Sequence, residues 1–118
     1  MLSPVLIAST DDIHRMVLMT VEGPLVDPAH AAALRTVLPA VPPGFSMVVD
    51  LSGVGWFSEA SLATLRDIAR EAAAAGVVVV IVCSDTMRRA ELVMADLDTL
   101  VPVVEAIEQA LPITGLAA

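Results

Sequence analysis

Aromatic side chains are nearly missing from this chain of 118 residues: it has one Trp, two Phe and no Tyr. With 57% of residues apolar, the interior must be filled by Val, Leu, Ala, Ile and Met. A chain of this length is expected to form one domain, with enough core to need neither disulfide nor metal. Cysteine is just as scarce. Cys83 stands alone in an apolar run, so no internal disulfide can form, and a buried thiol in a reducing, cytoplasmic setting is expected. Basic residues number six against fourteen acidic, for a net charge of −8. That balance argues against nucleic acid and anionic membrane surfaces and favours a basic or mixed-charge protein partner. Long apolar runs are lacking too. The most apolar uncharged stretch, Ala72 to Ser84, falls short of the roughly 20 residues of a spanning helix. No basic residue precedes the apolar Leu2–Ile7 run, so a signal peptide is not expected.

The motifs of common enzymes are also absent. His14 and His30 lie far apart, and neither His-x-x-x-His nor Cys-x-x-Cys spacing occurs, so no metal or other cofactor is expected. No glycine-rich nucleotide loop is present. Gly55-Trp56-Phe57-Ser58-Glu59 puts its serine out of place for a nucleophile elbow. The pairs Asp11-Asp12 and Asp96/Asp98 read as solvated turns, and Arg88-Arg89 as the exposed face of a helix. The chain does not read as an enzyme.

What is present is an alternation of strand and helix patterns. Val5–Ala8 reads as an edge strand, Ser9–His14 as a turn and Arg15–Val21 as the second strand of a hairpin. Asp27-Pro28 opens a helix over Ala29–Leu38, with Ala33, Leu34, Val37 and Leu38 inward, which Pro39, Pro42, Pro43 and Gly44 stop. Met47–Leu51 is mostly apolar and β-branched, as a strand covered on both faces should be. Ser52-Gly53-Val54-Gly55 breaks that pattern, and from Ser58 a helical period places Leu62, Leu65, Ile68 and Ala72 on one face. Ser58 is the expected N-cap, with Phe57 and Leu62 at the two positions of a hydrophobic staple. Gly76 suits a left-handed cap at the far end of that helix. Val77–Val82 then forms a doubly covered strand, Ser84 or Asp85 caps a helix to about Ala95 presenting Met87, Ala90, Leu92 and Met94, Leu100–Val103 is a last strand, and Val104–Leu111 a last helix. The expected architecture is one α/β domain over residues 1–112, a mixed, mostly parallel sheet of about four or five strands with about four helices. Residues 113–118 read as a flexible tail.

The pieces, in this order, resemble the STAS family of stand-alone anti-sigma factor antagonists (anti-anti-sigma factors) and sulfate-transporter tails. Val48-Val49-Asp50-Leu51-Ser52-Gly53-Val54 is similar to the family's central strand and its Asp-Leu-Ser-Gly-Val ending. Val21–Asp27 is similar to its Gly-Glu-Leu-Asp turn, Gly76 and the valine run to its next junction, Leu92–Val103 to the segment entering the last strand, and Glu105-Ala106 to its closing helix. The resemblance implies a bacterial, cytoplasmic regulator of transcription that binds protein through the strand-turn-helix edge 52–65. It implies as partner an anti-sigma factor that is a serine-kinase-like ATPase, or else a transporter or stress-sensing complex. In the family, an Asp-Ser-Ser-Gly-Leu run opens the central helix and its first serine is phosphorylated. Aligned without gaps from Asp50, Ser58, Glu59, Ala60, Ser61 and Leu62 occupy those places, so Glu59 stands at the phosphoacceptor position and cannot be phosphorylated.

Two accounts of Glu59 remain open. A carboxylate at a helix N-terminus is stabilised by the helix dipole. Alternatively it imitates phosphoserine, though only in part, with one charge and two oxygens where phosphate has more of each. Ser58 and Ser61 are either off-register phosphoacceptors or a cap and a first-turn residue. Trp56 is either a binding anchor or a lid over the core. Together Trp56, Ser58, Glu59 and Ser61 form the expected binding edge. The oligomeric state stays open, and a small-ligand site has only the apolar interior in its favour.

Overall fold

The computed structural model describes residues 3–111, so the tail expected at 113–118 lies outside the described residues. Five strands form one sheet in chain order: β1 (Val5–Asp11), β2 (Met16–Glu22), β3 (Ser46–Gly53), β4 (Val79–Val82) and β5 (Val103–Val104). β1 is antiparallel to β2, and every later pair is parallel. Four helices are described, α1 (Pro28–Ala32), α2 (Glu59–Ala74), α3 (Thr86–Met94) and α4 (Ile107–Ala110). This is the mixed, mostly parallel α/β architecture expected from the sequence.

Because strand order follows chain order, the crossovers through α1, α2 and α3 advance in one direction and pack on one sheet face. There Met19, Met47, Val49, Leu51, Val79 and Ile81 meet Leu34, Leu65, Ile68, Ala69, Ala72 and Leu92. Fully burying an aliphatic side chain of this size is worth about 1.5–3 kcal/mol, and Leu34, Leu51 and Leu92 are all buried to that degree. On the opposite face Met16, Val48, Val80 and Val82 pack with Ala110, beside Ile107 of α4. β4 is thus covered on both sides, whereas Val77 and Val78, expected in the same strand, lie before it and Val78 is 47% exposed.

Element boundaries differ from expectation where pairing or caps override local pattern. β1 runs on to Asp11, because Ser9, Thr10 and Asp11 pair with Leu18, Val17 and Met16. The first helix tightens into a 3-10 helix over Ala33–Ala40 that contains Pro39. Proline's fixed φ suits that geometry, so Pro39 does not stop it. Ala33 faces solvent, whereas Val37 and Leu38 pack against the core. Val77 belongs to the cap of α2, not to β4: its N–H donates to Ala72 at 2.9 Å while that of Gly76, at φ +74°, donates to Ala73. This is a Schellman motif. β5 is shorter than expected and begins after Pro102, which has no N–H to give a ladder. α4 starts at Ile107 instead of Val104, because Val104 pairs with Val82.

α3 is capped by Asp85, whose carboxylate accepts from the N–H of Met87 and of Arg88. Only Leu92 of this helix is buried, and Met87, Ala90 and Met94 face outward. Arg88 and Arg89, expected on the exposed face, are instead mostly covered, at 14% and 21% side-chain exposure. Their guanidinium groups reach back to loop carbonyls, which fixes the rotation of the helix.

Candidate functional site

The loops after β2, β3 and β4 meet at one edge, outside the carboxyl ends of the parallel strands, where α/β sheets commonly hold their sites. The β3–α2 turn is the centre of this edge. Residues 22–26 run alongside it as an irregular continuation of the β2–β3 pairing. The N–H of Gly23 donates to Gly53 (3.0 Å), that of Leu25 to Trp56 (2.9 Å) and that of Ser58 to Leu25 (3.1 Å). Leu25, Val54 and Phe57 point into the core and anchor both segments. Gly53 is required by this close approach, since a Cβ there would lie 2.9 Å from Glu22 Cγ and 3.2 Å from the Val21 carbonyl oxygen.

On its other side the turn is tied to the β4–α3 loop. Asp50 accepts from the N–H of Ser52 (2.9 Å), and Ser52 Oγ accepts from the N–H of Ser84 (3.0 Å). Arg88 donates to the Gly55 carbonyl and pairs with Glu91 at 2.9 Å. Arg89 donates to the carbonyls of Cys83 and Ser84, both at 3.0 Å. The Arg88–Gly55 contact is not visible in the sequence, because it depends on where α3 docks, whereas Arg88–Glu91 is an i, i+3 pair within the helix and Arg89 reaches back only to the residues just before it. Cys83 itself is buried, and burial pushes its thiol above the ordinary range.

Ser58 is the N-cap of α2, its Oγ accepting from the N–H of Ser61 at 3.0 Å. Its hydroxyl donates to the Val26 carbonyl. Ser61 is completely buried, with Oγ 3.1 Å from the same Val26 oxygen and 3.0 Å from Ser58 Oγ. Both hydroxyls are therefore consumed in holding the β2–α1 loop against the helix, and Ser61 has no access for a phosphate donor in this fold. Trp56 is 56% exposed and is not a lid over the core, since that place is filled by Phe57. Glu59 is exposed in the first turn of α2, where the dipole favours it, and enters no ion pair among the described residues. The four residues expected at the edge are thus brought together, two outward and two largely inward.

The sequence matches the STAS domain over residues 7–110. The chain belongs to the STAS domain family. No curated protein sequence matches it. In solved structures, this STAS domain is similar to an anti-sigma factor antagonist from Mycobacterium paratuberculosis, with 22% identity and a TM-score of 0.74, over 95% of this chain and 94% of that one. It is also similar to a candidate anti-sigma factor antagonist from Thermotoga maritima, at 18% identity, TM-score 0.76 and coverages of 92% and 93%. The STAS domain of a SulP transporter from Vibrio cholerae is a third likeness, with 22% identity, TM-score 0.66 and coverages of 80% and 76%. Identities this low concern the fold. No described helix is long and apolar enough to cross a membrane, and no group of three or more His, Cys, Asp or Glu side chains that could hold a metal occurs among the described residues.

Proposed function

We propose that this STAS domain is a non-catalytic, cytoplasmic regulatory module of the anti-sigma factor antagonist type, docking a protein partner through the edge 52–65. The observation that carries this is the pairing of exposed Trp56 and Glu59 on a turn held from both sides by hydrogen bonds. A rigid turn presenting an aromatic anchor beside a charge loses little conformational freedom on binding. The partner envisaged is an anti-sigma factor with a serine-kinase-like ATPase domain. Glu59 occupies its phosphoacceptor position, so regulation by phosphate would be absent or permanently imitated.

A second use of the same edge is as a constitutive subunit of a transporter or stress-sensing assembly. It is favoured by the burial of Ser61 and the capping role of Ser58, which tie up both hydroxyls in the first turn of α2. Affinity capture from the source organism with the native chain and with Glu59→Ser separates the two. A serine-kinase-like ATPase bound to both baits, with phosphate appearing only on Glu59→Ser, supports the antagonist assignment. A transporter subunit or large scaffold, unaffected by the substitution, supports the constitutive one.

A further inference from the structure

The sheet is open, and its two outer strands are built differently. β5 is two residues long and follows Pro102, so it offers another strand little to pair with. β1 is seven residues long, pairs with β2 in one unbroken register, and has no strand on its other side among the described residues. Alternate residues of such a strand turn their N–H and C=O groups outward, away from the neighbour. Natural edges are blunted by charge, proline, a bulge or shortness. None of these interrupts Val5–Thr10. Val5 and Ile7 are 55% and 54% exposed, on the sheet face of Leu18 and Thr20, while Leu6 on the other face packs against the core.

Backbone groups in a row specify a strand as the occupant, and charge specifies whose. The chain carries a net charge of −8, yet Ser3 to Thr10 contains no charged residue. A cationic strand finds no carboxylate along this stretch, whereas two copies of the acidic chain meet here without like charges opposed. Antiparallel pairing about a two-fold axis at Ile7 sets Ile7 against Ile7 of the second copy, Val5 against Ser9 and Leu6 against Ala8. Val5 and Ile7 of both copies then form one apolar cluster across the junction. Asp11, the one charge of β1, is left at the ends. It lies roughly 27 Å from its counterpart at about 3.4 Å per residue, well beyond a Debye length in physiological salt. It is also already paired with its own His14 at 2.6 Å.

We infer that β1 pairs antiparallel with β1 of a second copy of this chain, centred on Ile7, and joins the two sheets edge to edge. The contact is isologous, and the bluntness of β5 closes the assembly at a dimer. It uses no residue of the edge 52–65, which each copy keeps for a different partner.

Sedimentation velocity over a concentration series reads the mass, and hydrogen exchange reads the β1 amides. The native chain should pass from monomer to dimer as concentration rises, and exchange over Leu6–Thr10 should slow only in the dimer. Ile7→Lys sets like charges directly opposite at a position exposed in the monomer, so the variant should keep the parent's circular dichroism and stay monomeric. Ile7→Cys, under oxidation, should give a disulfide-linked dimer much faster than Ser9→Cys, and this arm decides the matter even where the lysine variant does not fold. Trp56→Ala should dimerise like the parent. A native chain that is monomeric at every concentration overturns the inference, as does a dimer that survives in folded Ile7→Lys. Equal or faster cross-linking through Ser9→Cys overturns the pairing about Ile7. Loss of the dimer in Trp56→Ala places the contact at the edge 52–65 instead, and slowed β1 exchange in the monomer shows that the chain covers this edge itself.

Discussion

The Ser61 hydroxyl lies 3.1 Å from the carbonyl oxygen of Val26, 35 residues earlier in the chain. The Ser58 hydroxyl donates to the same oxygen, so one loop carbonyl is held by the first turn of α2 from two positions. Ser58 also caps that helix, which gives it two tasks to Ser61's one.

Ser58→Ala should therefore cost more than Ser61→Ala. Loss of a cap is worth about 0.5–2 kcal/mol, and the tether to Val26 places Ser58 in the upper half of that range. Ser61→Ala leaves Val26 still paired with Ser58 and should cost about 1 kcal/mol or less. Urea denaturation of both variants measures the difference, and the reverse ranking would mean that the cap, not the tether, is the minor contact.

Gly53→Ala should destabilise by about 1–3 kcal/mol, the usual range for forced overpacking. Glu22 can swing aside, but the Val21 carbonyl at 3.2 Å is backbone and cannot. Gly55→Ala, whose Cβ would meet nothing within 4 Å, should be far milder. Thermal melts of the two variants make the comparison direct.

Trp56 is the single tryptophan and is more than half exposed. Trp56→Ala should leave the unfolding free energy within about 0.5 kcal/mol of the parent, as exposed substitutions do. In the native protein its fluorescence should be that of a solvated indole and should shift to the blue when a partner covers the edge. A blue-shifted emission from the free protein would contradict the exposure.

Glu59→Gln should lower stability by about 0.3–1 kcal/mol at low salt, the range for a charge at an exposed helix end. Added salt should shrink the difference. If the loss is unchanged in high salt, a specific contact and not the dipole is responsible.

Acid should weaken two named contacts. Arg35 meets Glu71 with two bonds of 2.7 and 2.8 Å, and this hydrogen bonding holds the Glu71 carboxyl below its ordinary 4.5. Asp11 is lowered from 3.8, first by the backbone N–H of His14 and next by its ring, 2.6 Å away. Carboxyls depressed in the folded state contribute above their unfolded values, and the contribution is lost as pH falls through the folded ones. Glu71→Gln should therefore flatten the decline of stability below pH 4.5, measured by denaturant midpoints across that range.

Much of the fold could be read locally. Asp27, Ser58 and Gly76 mark helix ends by bonds to residues within five positions, and all three act where the sequence places them. The unalternating valine run likewise announced a strand with two covered faces. Boundaries were less readable because pairing partners set them: β1 gained Ser9–Asp11 from β2, and β5 lost Leu100 and Val101 to the turn before Pro102. Of the proposed edge, the strand-turn-helix pattern over Ser52–Leu65 was readable, but the depth of each side chain was not.

From its sequence alone this protein owed the order of strands and helices, an aliphatic core and the caps of its helices, since neighbours along the chain suffice to specify them. Tertiary structure alone decided that Ser61 turns inward, that Trp56 turns outward, and that Arg88 clasps the Gly55 carbonyl. Those outcomes depend on segments some 30 residues apart meeting at one sheet edge, where the position of Val26 and the rotation of α3 determine which polar groups find partners.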